Sequence, residues 1–185
     1  MHLLEFQAKE LFREYGINLL PSKASKTIEE GRTHAKELGY PFVIKIQVPV
    51  GGRGKAGGIQ KCQNDDEFEL KYPLVLGLTI KGEKARAILL EKMADIKKEL
   101  YLSMFLNRSK RCYTIIASPE GGVEIESVKN QIIKEVGLGN VSDKIAREVA
   151  KEMKLEGKLA DDFVEILQKL SKLTVEKEAE LAEIN

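Results

Sequence analysis

Histidine and cysteine are scarce in this chain, with two of each in 185 residues. Cys62 and Cys112 stand alone. No CxxC and no Cys/His cluster is present, which excludes the zinc-binding spacings and a disulfide framework. Both thiols are expected to be free and reduced. Long apolar runs are also missing, and no stretch approaches the ~20 residues that cross a bilayer. The opening MHLLEFQAKELF is charged within its first five residues and has no apolar core, so it does not read as a signal peptide. These absences point to the cytoplasm. Charge of one sign is lacking too: 30 Lys and Arg face 29 Asp and Glu, for a formal net charge of +1. Such a balance gives no general field for nucleic acid or an anionic membrane. Any anion bound here has to be held by a local constellation.

The chain does have the apolar content to fold. Hydrophobic residues make up 43% and charged residues 32%, enough for one large domain or two small subdomains with a real core. Leu3, Leu4, Ala8, Leu11, Phe12 and Tyr15 recur at helical spacing until Gly16 stops them. Thr27 followed by Glu30 resembles a capping box, opening a helix that Gly39 ends. PFVIKIQV (41–48) and GIQKCQ read as strands flanking a glycine-rich loop. Residues 65–84 begin as a helix and continue as an apolar run broken by Gly77 and Gly82. ARAILLEKM is a further strand, and ELYLSMFLN and RCYTIIAS form an antiparallel pair turning around Asn107–Lys110. SPEGGVEIE (118–126) reads as a glycine turn entering an acidic strand. Helices are expected over most of 127–177, with interruptions near Gly137–Gly139 and at Gly157, and AELAEIN reads as a closing strand. Consecutive strands in pairs, followed by helices, predict an α+β fold with mixed or antiparallel sheets.

The loop VPVGGRGKAGGIQ (48–60) concentrates five glycines, Arg53 and Lys55. It is not a Walker A loop: counting back from Gly54-Lys55 puts Pro49 at the first glycine position and Ala56 where a hydroxyl is required. Gly52, Gly54 and Gly57 do fit G-x-G-x-x-G. However, a strand follows, and the dinucleotide fingerprint needs a helix N-terminus there to meet the pyrophosphate. What remains is a hairpin loop whose backbone N–H groups can cover phosphates. Lys45, on the preceding strand, is within reach of them as a point charge. The alternative from local chemistry is a flexible turn beside a lysine that snorkels from an edge strand.

LLEFQAKELFREYGI, VIKIQVPVGGRGKAGG, ILLEKMADIKKELYLS, SPEGGVEIE and the terminal AEIN occur together and in this order. In this the chain resembles the β subunits of succinyl-CoA synthetases, in their nucleotide-binding region of ATP-grasp fold. The resemblance runs over essentially the whole chain and is looser over 65–85 and 127–175. It implies two α+β subdomains holding ATP or GTP between them, a lid-like one over roughly 20–95 and a second made of 1–19 with 96–185. It also implies that the chain stops before the family's C-terminal domain.

By the same resemblance Lys45 contacts the phosphates, and Gly52, Arg53 and Gly54 lie in the loop over them. Glu91 stands at the adenine-side hinge with Met93 and Ala94, and Glu99 accepts the ribose hydroxyls. A carboxylate acceptor for a diol and a lysine with backbone amides for phosphate are chemically apt. The bland alternatives are a surface salt bridge for Glu91 and a solvated strand carboxylate for Glu99. Asn185, and Glu183 two residues before it on the same strand face, offer oxygen ligands for Mg2+. The family's further metal carboxylate lies beyond Asn185.

The family's phosphorylated histidine belongs to a partner α subunit. This matches His2 and His34, neither of which sits in a motif. The implied activity is an ADP-forming acid–CoA ligase of the tricarboxylic acid cycle, acting through that partner and inactive as this chain alone. The alternatives are a related malate- or citrate-CoA ligase and a non-catalytic nucleotide-binding or assembly module.

Overall fold

The computed structural model describes residues 2–122 and 125–184. Its elements are α1 (Glu5–Glu14), β1 (Ser22–Ser25), α2 (Ile28–Leu38), β2 (Phe42–Gln47), β3 (Ile59–Cys62), α3 (Asp65–Leu76), β4 (Thr79–Ile80), β5 (Glu83–Lys84), β6 (Ala87–Lys92), β7 (Tyr101–Asn107), β8 (Cys112–Ser118), β9 (Ile132–Val136), α4 (Asp143–Glu152), α5 (Gly157–Glu176) and β10 (Leu181–Ile184). The chain divides into two compact units, Met1–Leu11 with Asn18–Asp95 and Phe12–Ile17 with Ile96–Asn185. All strand pairs among the described residues are antiparallel, so the fold is α+β.

In the first unit four strands form a sheet in the order β1-β6-β2-β3. Period-two alternation on β2 sends Phe42, Ile44 and Ile46 to one face, where they are fully buried with Phe68, Tyr72, Ile88 and Leu90. Helices α2 and α3 supply that core, and Gly31 lets them close: a Cβ there would sit 2.8 Å from the Tyr72 ring. Both helices start on side-chain caps. Thr27 accepts from the Glu30 N–H at 3.2 Å and Asn64 from the Glu67 N–H at 2.9 Å. Glu30 reaches back to the Lys26 N–H at 2.7 Å, one residue ahead of the cap, so the expected box is closed one position early. The ambiguous stretch 65–84 resolves as α3 followed by the short β4–β5 hairpin.

The second unit is a four-stranded sheet in the order β10-β7-β8-β9, packed with α4 and α5. AELAEIN supplies β10, paired in register with β7 so that Glu183 lies opposite Ser103. One expectation fails here. Residues 132–136 are not helical: IIKEV is β-branched and alternates, and it takes the edge of the sheet beside β8. Half of the acidic strand expected at the end of SPEGGVEIE, Val123 and Glu124, lies outside the described residues, and Ile125–Ser127 form a 3-10 turn. No described helix is long and apolar enough to cross a membrane. Both cysteines are free. Cys62 is completely buried, and burial pushes its thiol up to about 11.

Candidate phosphate site

The alternation that buries Ile44 and Ile46 turns Lys45 to the opposite face of the first sheet. In register, Lys45 lies across from Leu89 and Val43 from Glu91, so Lys45 and Glu91 are diagonal neighbours on that face. Their ion pair closes at 2.6 Å. The first turn of α1 lies against the same face, with the Phe6 N–H donating to Gln47 Oε1 at 3.2 Å. From there Glu5 reaches Lys45 Nζ at 3.1 Å with one oxygen and Arg53 Nη1 at 2.7 Å with the other. Lys9, one turn on, pairs with Glu91. Glu91 is only 5% exposed, so a lone carboxylate there would be costly. Lys9 and Lys45 offset that cost.

These charges fix one another's ionisation. Burial alone would raise the Glu5 carboxyl, but Lys45 and Arg53 beside it hold its pKa below the ordinary carboxylate range. Burial likewise works against a charged Lys45, and the Glu5 and Glu91 carboxylates outweigh it, so the ammonium titrates above its ordinary value.

The glycine-rich loop joins β2 to β3, an antiparallel pair, and no helix follows it. Its two halves differ. The N–H groups of Ala56, Gly57 and Gly58 close onto the carbonyls of Gly52, Gly54 and Arg53 at 3.2, 3.1 and 2.8 Å. Those of Gly52, Arg53 and Gly54 bond to nothing among the described residues. Gly52 has φ +84°, a conformation that favours glycine. A Cβ on Gly58 would overlap the Ile46 side chain, so the loop's return strand can pass close to β2 only with glycine there. The chemistry suits a phosphate chain: two cations, Lys45 and Arg53, beside backbone donors that have no partner among the described residues.

Ala94 is exposed, in the irregular segment after β6. Glu99 belongs to the second unit, is exposed, and pairs with no cation among the described residues. Its carboxylate lies on Gly122, where a Cβ would overlap Oε2 and φ is +70°. The Gly121 N–H donates to the Glu99 carbonyl at 3.0 Å, and a Cβ on Gly121 would meet Leu100 O at 2.7 Å. Gly121-Gly122 therefore forms a backbone seat for Glu99. Glu183 on β10 accepts a hydrogen bond from Tyr101 at 3.0 Å. Asn185 lies outside the described residues. Among the described residues no three His, Cys, Asp or Glu side chains gather as a metal site.

Of the residues singled out from sequence, Lys45, Arg53 and Glu91 come together in one charge cluster, and Gly52 and Gly54 stand in the loop beside it. Glu99 and Glu183 belong to the other unit. Glu5 and Lys9 were missed: as a first-turn acid and a lysine on an amphipathic helix they give no signal of a tie 40 or more residues away.

The fold is α+β, and the chain belongs to the ATP-grasp domain family, whose model matches residues 2–185. It is 38% identical over 196 aligned positions to the succinate–CoA ligase [ADP-forming] subunit beta of Deinococcus radiodurans, a match taking in 100% of this chain and 50% of that protein. The chain thus spans about half the length of that curated relative. Among solved structures it is similar in fold to the acetyl-coenzyme A synthetase 1 of Ca. Korarchaeum cryptofilum in complex with coenzyme A and Ca-AMPCP, with TM-score 0.85, 22% identity, and 99% and 85% of the two chains covered. The ATP citrate lyase of Methanothrix soehngenii in complex with citrate and coenzyme A gives TM-score 0.74 and 21% identity, covering 99% of this chain and 46% of that one.

Proposed function

We propose that this chain is the nucleotide-binding part of the β subunit of an ADP-forming succinate–CoA ligase, holding ATP or GTP with Mg2+ for a partner α subunit. The observation that carries the reading is the convergence of Lys45 and Arg53 beside a glycine loop whose Gly52, Arg53 and Gly54 amides are uncommitted. In this reading Lys45, Arg53 and those amides take the phosphate oxygens, Glu91 and Ala94 stand on the purine side, and Glu99 accepts the ribose hydroxyls. These groups bind and orient charge, which is most of what a protein contributes to phosphoryl transfer. Succinate as the acid is favoured by the 38% identity to a succinate–CoA ligase subunit. The ligase reaction passes phosphate to a histidine on the α subunit, then to the carboxylate, from which coenzyme A displaces it. No group in this chain takes the phosphohistidine role, so turnover requires the partner. Glu183 and Asn185 are the proposed oxygen ligands for the metal that arrives with the nucleotide.

Calorimetric titration of Mg·ATP into the wild type and a Lys45→Ala, Arg53→Ala variant tests this. Binding by the wild type, weakened at least about tenfold in the variant, is expected. A folded wild type that takes up no nucleotide would leave an assembly module as the better description.

A further inference from the structure

Glu5 does to the cation pair what a phosphate would do. One carboxylate spans Lys45 Nζ at 3.1 Å and Arg53 Nη1 at 2.7 Å, using both oxygens and leaving each cation with an anionic partner. Nothing about folding α1 requires this contact. The helix is tied to the sheet independently, by the Phe6 N–H on Gln47 and by Lys9 on Glu91. Nor does Lys45 need Glu5 for neutrality, since Glu91 already pairs with it at 2.6 Å. Arg53, by contrast, has no other carboxylate among the described residues. The three side chains remain partly open to solvent, at 19% for Glu5, 19% for Lys45 and 25% for Arg53. An incoming anion can therefore reach them.

We infer that Glu5 is an internal competitor for the phosphate site: a carboxylate on the first turn of α1 that occupies Lys45 and Arg53 until a phosphate chain displaces it. The inference rests on the nucleotide reading above and adds to it what sets the affinity. The knot carries three cations, Lys9, Lys45 and Arg53, against the two carboxylates Glu5 and Glu91. Only one net positive charge then faces the ligand while Glu5 is in place. Displaced, Glu5 remains in the first turn of a helix, where the helix dipole favours a carboxylate, so exchange of partners is inexpensive. A site built this way stays ordered without nucleotide and binds it less tightly than two free cations would.

The experiment compares wild type with Glu5→Gln, which keeps the shape and removes the charge, by calorimetry with three probes: Mg·ATP, inorganic tripolyphosphate and adenosine. Both phosphate-bearing probes are expected to bind the variant about tenfold more tightly, with adenosine unchanged. Equal or weaker tripolyphosphate binding by the variant overturns the inference and makes Glu5 a positioning residue for Arg53. A wild type that binds neither Mg·ATP nor tripolyphosphate overturns the nucleotide reading itself, and this inference with it. If Glu5→Gln does not fold, side-chain NMR of the wild type decides: the Glu5 Cδ resonance should move as tripolyphosphate saturates the site, and a Glu5 Cδ resonance that stays in place at saturation overturns displacement.

Discussion

The two units handle the charge of their candidate binding groups in opposite ways. In the first, Lys45, Arg53 and Glu91 are drawn below the surface and neutralised by one another, by Glu5 and by Lys9. In the second, Glu99 is exposed, pairs with no cation among the described residues and is positioned by backbone, on Gly121-Gly122. The difference follows from solvent access. A partly buried charge needs a partner because desolvation is costly, whereas an exposed carboxylate needs none and gains little from one. On the proposed reading, held charge serves both folding and binding in the first unit, and binding alone in the second.

That contrast breaks first at Glu91. Its replacement by Ala leaves Lys9 and Lys45 facing a low-dielectric gap, and denaturant unfolding should report a loss of about 3 kcal/mol. A loss under about 1 kcal/mol would mean the knot is solvated after all. Next comes Gly122→Ala, which puts a side chain at φ +70° and against the Glu99 carboxylate. Stability should fall by about 1 kcal/mol, and Mg·ATP affinity should drop while tripolyphosphate affinity holds, because only the ribose end has moved. Equal loss for both probes would separate Glu99 from the sugar.

The pH dependence sharpens the same comparison. Glu5 titrates below its ordinary value, so its contribution is fully present above about pH 4.3 and is lost as pH falls through its lowered pKa. Lys45 titrates above its ordinary value, so its contribution is full below about pH 10.4 and is lost as pH rises beyond. Melting temperature against pH should show a plateau between those limits, with a shallower acid limb in Glu5→Gln. The smallest effect is expected for Glu99→Gln, within about 0.5 kcal/mol of wild type in unfolding, with weaker Mg·ATP binding by calorimetry.

Much of this was legible in the residues. The β-branched run before the loop and the strand-like GIQKCQ that closes it declare a hairpin, and the absence of a helix after Gly57 rules out the dinucleotide fingerprint. Alternation alone puts Lys45 on the face away from Ile44 and Ile46. Residues 132–136 misled because IIKEV lies in a charged stretch that leads into helix, and the deciding factor, pairing with β8, is a long-range one. Gly121-Gly122 read as a turn, since what they seat lies more than twenty residues earlier. Glu5 was illegible for the same reason: its position says helix start, and only the sheet brings Lys45 and Arg53 to it.

The central claim, that phosphates bind where Lys45 and Arg53 meet the open half of the glycine loop, is tested most directly by amide chemical-shift mapping of the chain with Mg·ATP. The largest shifts are expected at Gly52, Arg53 and Gly54, with smaller ones at Ala56, Gly57 and Gly58, whose N–H groups are already bonded within the loop. Saturable binding that leaves Gly52 to Gly54 unmoved would contradict it.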